Sequence, residues 1–324
     1  MPIERFPFDP DTDREAWLAE RLKYVNASEM AIVCGQGAWG SLAELYAEKK
    51  GLRPSQVDSA VLRRGRWGED AVFRAMREER PEWNLLKAKV HVRDTDRRMA
   101  CTPDGFATAR DRDGIGIVQC KVIARSIFRQ KWLDDPDPAA DIMGPATPPA
   151  HYRIQTITET MLNGLKWGVL AVIINGEHTW EFRLLDVPRD DEIEQSIVDN
   201  TAAFWRDYFD PGIMPPYDPQ RDDRLIKALY PRDDGSAIDL SGDNRVMVAT
   251  EDLVAKKAGM KNLKDEIGAL ETELKGKLGE HSFGLLADGR CLSWRHQHRK
   301  AYSVAATDFR VLRVLNQAPE IKDD

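Results

Sequence analysis

The chain has 324 residues, 42% apolar and 31% charged, with a formal net charge of −7, the balance of a soluble globular protein long enough for one large domain or two moderate ones. No apolar run reaches the roughly 20 residues that span a bilayer, and the opening MPIERFPFDPDTDREAW lacks the basic stretch and apolar core of a secretory leader. Four scattered cysteines (Cys34, Cys101, Cys120, Cys291) with no C-x-x-C pair argue against a zinc site or a disulfide framework and suit a reducing cytoplasm.

In chain order, DREAWLAERLKYVNASEMAIVCG predicts a helix carrying Trp17, Leu18 and Leu22, then a second helix from NASEM, capped by Asn26 or Ser28. SLAELYAEKKGL predicts a helix stopped by Gly51 ahead of Pro54. GEDAVFRAMREER places Ala71, Val72, Ala75 and Met76 on one helical face before Pro81. The period then changes: LLKAKVHVRD, RRMACTPDGFATAR and GIGIVQCKVI read as three strands, with DRDG at 111–114 as a hairpin connection. PPAHYRIQTITETMLNGLKWG is a helix closed near Gly164, WGVLAVIINGEHTWEFRLLDV a strand, an NG turn and a returning strand, and PRDDEIEQSIVDNTAAFWRDYFD a long helix. That order describes an α/β (α+β) fold with a mixed central sheet flanked by helices.

Past residue 212 the character shifts. PGIMPPYDPQRDD reads as a linker, and Leu263, Ile267, Leu270, Leu274 and Leu278 form an apolar helical stripe, by default a packed helix and otherwise an oligomer contact or an arm. SFGLLADGRCLSWRHQHRKAYSV predicts a hairpin turning at Asp288–Gly289. The expected domains are therefore 1–212 and a C-terminal extension, 213–324. The negative total denies the chain a globally basic nucleic-acid footprint but leaves room for a locally positive channel. The basic clusters RRGR, DRRM, ARSIFRQK and RHQHRK each read first as a solvated face.

The chemistry concentrates in TPDGFATARDRDGIGIVQCKV, residues 102–122. Cleaving a phosphodiester with a divalent metal needs hard oxygen ligands, a route to hydroxide and charge relief on the phosphate. Asp104 follows Pro103 at a strand end, while Gln119 and Lys121, two apart on one strand, face the same way. Cys120 between them faces the opposite side and offers a main-chain carbonyl. Glu69 reads as a residue opening its helix, where the helix dipole alone would favour it. Tyr152 and Gln155 share a helix face.

The segments ERLKYVNASEM, GRWGEDAVF, RRMACTPDGF, GIVQCKV and HYRIQTITETM, in this order across roughly residues 15–210, resemble the YqaJ-type, lambda-exonuclease-like recombinases of phages and bacteria, within the PD-(D/E)XK nuclease superfamily. The resemblance implies a PD-(D/E)XK restriction-endonuclease-like core over 1–212. It places Asp104, Gln119 and the Cys120 carbonyl among the metal ligands, with Glu69 acting directly or through water. It makes Lys121 the catalytic lysine, gives Arg21 and Ser28 the 5′-phosphate of a DNA end, and sets Tyr152 and Gln155 along the active site. A short helix starting near Ser28 would add its N–H groups and dipole to the phosphate site.

The activity so implied is Mg²⁺-dependent 5′→3′ degradation of linear double-stranded DNA, with two ions, Mn²⁺ as a substitute, and 3′ overhangs handed to a single-strand annealing protein. A homo-oligomer in a bacterial cytoplasm, encoded by phage or host, completes the expectation. Gln119 departs from the family pattern, which has Glu or Asp there. The substitution keeps one carbonyl oxygen and loses the charge. Three explanations stand: an engineered Glu→Gln change made to trap substrate, a natural site in which Glu69 and Asp104 carry the ion, or a copy that binds DNA ends without cutting. An inert end-binding recombination protein, and an endonuclease or single-strand nuclease on the same fold, are the alternative functions.

Overall fold

The strands of the first 229 residues fall into two sheets rather than one. The structure, a computed structural model, describes residues 3–7, 14–52, 60–137, 139–301 and 306–315, so Pro54 lies outside the described residues, while Gly51, at φ 67°, follows the end of its helix as expected. A five-stranded mixed sheet runs β3 (Asn84–Lys87), β6 (Gly105–Thr108), β7 (Ile115–Ala124), β8 (Trp167–Asn175), β9 (Trp180–Pro188), with β7 and β8 parallel and the other pairs antiparallel. A four-stranded sheet runs β1 (Ile3–Pro7), β4 (Val90–Asp94), β5 (Met99–Cys101), β2 (Val25–Asn26). Two predicted strands are thus each divided between sheets. LLKAKVHVRD breaks at Ala88, whose N–H donates to the Asp104 carbonyl at 3.0 Å. RRMACTPDGFATAR breaks around Pro103, which has no N–H to give a ladder.

Helices cover both faces of the larger sheet. α4 (Ala60–Glu79) lies on one, where Val72, Phe73 and Met76 meet Val118, Cys120, Val169 and Ala171. On the other, α6 (Ala150–Asn163) and α7 (Asp191–Phe204) bury Ile154, Ile157, Leu162 and Ile197 against Ile123, Leu170, Val172 and Ile174. This is the mixed sheet flanked by helices that the sequence predicts. α6 ends as expected, on Gly164 at φ 67°. α1 (Arg14–Arg21) and α3 (Leu42–Lys49) also follow their patterns, α3 with a Ser41/Glu44 capping box. The helix expected at NASEM is only a three-residue 3-10 turn, Ala27–Glu29, running into α2 (Met30–Val33). α5 (Arg125–Lys131) and the strands β1 and β2 carry no pattern that predicts them.

The first compact unit runs through Leu229. The stretch expected to be a linker, 211–223, is irregular up to Asp222 and leads into α8 (Asp223–Leu229), which packs back on the first unit with Leu225 buried beside Ala43 and Ala47. Beside it Asp222 accepts a 2.6 Å hydrogen bond from the Ser41 hydroxyl. The second unit, from Tyr230, contains α9 (Asn244–Leu278) and the hairpin β10 (Phe283–Leu285) and β11 (Cys291–Ser293), with Gly289 at φ 86° in the predicted turn. The packed-helix expectation for the leucine stripe is corrected here: Leu263, Ile267, Leu270 and Leu274 are exposed, and only Leu278 is buried. A hairpin of three-residue strands is too small to cover a 35-residue helix. Among the described residues no helix is long and apolar enough to cross a membrane, and Cys34, Cys101, Cys120 and Cys291 are free.

Candidate active site

Asp104 stands where the chain leaves β5 of one sheet and enters β6 of the other. Its Oδ2 accepts from Gln119 Nε2 at 2.6 Å and from the Cys120 N–H at 2.7 Å. Gln119 and Lys121 share a face of β7, as the two-residue period predicts, opposite Leu170 and Val172 on the α6 side of the sheet. Cys120 lies in the core under α4.

Glu69 reaches the site from α4, although the helix-opening position read from the sequence is corrected. α4 already runs from Ala60, so Glu69 sits in its middle, away from any N-terminal dipole. Two glycines let α4 approach. A Cβ on Gly68 would stand 2.5 Å from Val122 Cγ2, and one on Gly105 2.4 Å from Phe73 Cζ. Burial and then the Asp104 charge push the Glu69 carboxyl up to about 7, against the pull of Lys87, whose Nζ is 3.6 Å away. Asp104 is itself raised, by burial first, with Lys121 and the Cys120 N–H pulling the other way.

On α6, the Tyr152 ring centroid lies 5.4 Å from Lys121 Nζ. Gln155 donates through Nε2 to Glu159 Oε1 at 3.0 Å. Glu159, which the sequence reading passed over, is almost fully buried, and burial followed by the Asp104 charge lifts its carboxyl to about 8. Its spacing from Tyr152 and Gln155, seven and four residues on one helix face, was the available signal.

Arg21 and Ser28 come together: Arg21 Nη2 is 3.3 Å from Ser28 Oγ, and it also donates to Glu29 Oε1 at 2.7 Å. Lys49, its side chain fully buried, holds the other Glu29 oxygen at 2.6 Å and the Arg21 carbonyl at 2.8 Å. Burial pushes Glu29 up, but Lys49 and Arg21 outweigh it and hold the carboxyl down at about 2. Burial lowers Lys49 against the upward pull of Glu29. The cluster of Arg21, Lys49 and Glu29 carries one surplus positive charge. Nothing in the spacing of Glu29 and Lys49 announced it. Arg21 also lies 4.8 Å from the Trp17 ring, whose Nε1 donates to Thr102 Oγ1 at 3.1 Å, two residues from Asp104. The helical segment that begins beside Ser28 is short, a 3-10 turn running into the four-residue α2, so its dipole adds little to the phosphate site.

The donors suit a hard dication. Gln119 Oε1 and Glu159 Oε2 are buried oxygens with no hydrogen-bond partner, and the Asp104 charge bears on both Glu69 and Glu159. Among the described residues no three His, Cys, Asp or Glu side chains converge closely enough to hold an ion unaided, so the Gln119 amide and the Cys120 carbonyl would have to complete the set.

A pH dependence follows. Glu69 and Glu159 bind protons more tightly folded, at about 7 and about 8, than at their ordinary 4.5. Their contribution to stability is therefore fully present below about pH 4.5 and is lost as pH rises through about 8. Thermal melts between about pH 5.5 and 8.5 should show Tm falling by several degrees, with Mn²⁺ flattening the slope. A Tm unchanged over that range in metal-free buffer would contradict it.

Residues 16–165 match the sequence model of the YqaJ-like viral recombinase domain. The chain is 24% identical over 285 residues to the uncharacterized protein YqaJ of Bacillus subtilis, covering 86% of this chain and 82% of that one. Among solved structures, an alkaline exonuclease from Laribacter hongkongensis aligns at 18% identity over 60% of this chain and 91% of that one, with a TM-score of 0.41. The protein in a SOX–DNA complex aligns at 9% identity over 67% and 68%, with a TM-score of 0.38.

Proposed function

We propose that this chain, whose residues 16–165 match the model of the YqaJ-like viral recombinase domain, is a Mg²⁺-dependent 5′→3′ exonuclease acting on linear double-stranded DNA in recombination. The observation that carries this reading is the meeting of Asp104, Gln119, Lys121 and Glu69 where the two sheets join. When bound, Mg²⁺ or Mn²⁺, as one or two ions, would lower the pKa of water and offset charge on the phosphate. Asp104, Gln119 Oε1, the Cys120 carbonyl and Glu69 would hold it. Lys121, on the same strand face as Gln119, orients the attacking water or takes its proton. Tyr152 and Gln155 wall the site on the α6 side. Arg21 presents its guanidinium to the terminal phosphate with the exposed Ser28 hydroxyl beside it, an arrangement suited to paired, charge-assisted hydrogen bonds. The nuclease role is assigned to the unit that ends at Leu229, and contact between copies of the chain to the exposed leucine stripe of α9.

The test uses 5′-phosphorylated linear duplex and closed circles with Mg²⁺, for this chain and for its Gln119→Glu form. Loss of linear duplex alone is expected; cutting of the circle would reassign the protein to the endonucleases. Arg21→Ala should reduce the preference for phosphorylated over hydroxyl ends by about tenfold or more, and an unchanged preference would remove the phosphate assignment. Gln119 itself favours a second reading, an end-binding protein without turnover. That reading gains if the chain shields linear ends in footprinting yet neither form consumes them.

A further inference from the structure

Glu159 is a carboxyl with no evident structural use. Its residue is 1% exposed, and it sits within α6, where an apolar side chain would pack at no electrostatic cost. One oxygen is engaged by Gln155; the other, Oε2, is buried with no hydrogen-bond partner. Among the described ion pairs none involves it. On β7, against which α6 packs, Gln119 Oε1 is buried and unpartnered in the same way. The Gln119 amide spends its nitrogen on Asp104 Oδ2, so the carboxylate of Asp104 faces a neutral neighbour on that side. Asp104 lies between two glutamates: its charge bears on Glu69, on α4, and on Glu159, on α6. Burying glutamates beside the Asp104 charge is costly, and a dication is the ligand that turns the cost into attraction.

We propose that Glu159 supplies to the divalent-cation site at Asp104 and Glu69 the negative charge that the neutral Gln119 does not, with Gln155 holding it in place. Glu159 is thus a positioning residue for the cation, and the proposal rests on the metal-dependent nuclease reading above. The rival role is a protonated acid that only fills space inside the helix layer.

The experiment is Mn²⁺ binding to the full chain, by titration calorimetry and by the loss of free Mn²⁺ signal in electron paramagnetic resonance, with thermal melts of the metal-free forms alongside. Glu159→Gln keeps shape and removes charge. It should weaken Mn²⁺ binding by about tenfold or more, leave the metal-free Tm unchanged or higher, and reduce the stabilisation that Mn²⁺ gives. Adding Gln119→Glu to that variant returns a carboxylate to the site and should restore affinity to near that of the starting chain. An affinity within about twofold of the starting chain for Glu159→Gln overturns the proposal, as does a lowered metal-free Tm with unaltered binding, which would mark a space-filling role. Failure of Gln119→Glu to rescue a weakened variant overturns the relocation of charge. If the unaltered chain binds no Mn²⁺, the nuclease reading itself fails, an outcome distinct from the other three.

Discussion

Gln119→Glu should raise Mg²⁺-dependent consumption of linear duplex by about a hundredfold or more, the size of effect that one correctly placed charge has on a hydrolytic transition state. The new carboxylate would stand beside Asp104 and two residues from Lys121 on one strand face, where it can act on both the ion and the attacking water. The gain belongs to turnover. With Glu159 already contributing charge, Mn²⁺ affinity should change much less than kcat. The substitution also replaces a donor to Asp104 by a second anion, so the metal-free form should melt lower and regain stability with Mn²⁺. Single-turnover degradation of a labelled duplex reads the effect. No gain, with Mn²⁺ binding intact, would show that the missing carboxylate does not limit this chain and would support end binding without cutting.

Lys49→Met should cost about 3 kcal/mol or more of folding stability, because it leaves a buried carboxylate short of its nearest countercharge. Lys49 Nζ lies 2.6 Å from Glu29 and 2.8 Å from the Arg21 carbonyl, with no exposed side-chain surface to let water replace it. Arg21 would then be drawn wholly to Glu29 and lost to a phosphate. Glu29, held at about 2, contributes stability above its ordinary 4.5 that is lost as pH falls toward 2, so the deficit of the variant should shrink in acid. Removing both charges with Glu29→Gln should recover part of the loss. Urea melts check this; a single variant as stable as the parent would mean the pair contributes little.

Several features were legible because they depend on the backbone alone. The side-chain alternation of β7 puts Gln119 and Lys121 on one face whatever surrounds the strand. Gly164 closes α6 and Asp288–Gly289 turns a hairpin, both through local dihedral preferences. Tyr152 and Gln155 share a face because helices repeat every 3.6 residues.

Packing between distant segments decided the rest. The sequence by itself determined which side chains share a strand or helix face; the tertiary structure determined which buried charges meet. It divided two apparent strands between two sheets at Asp104, and it placed Glu69 in the middle of a helix that reaches the sheet at Gly68. It also joined Glu29 to Lys49 across twenty residues and set Glu159 within the field of Asp104. The physical reason is one of range: dihedral preferences act over a few residues, whereas desolvation and Coulomb interaction depend on neighbours that only the folded chain brings together.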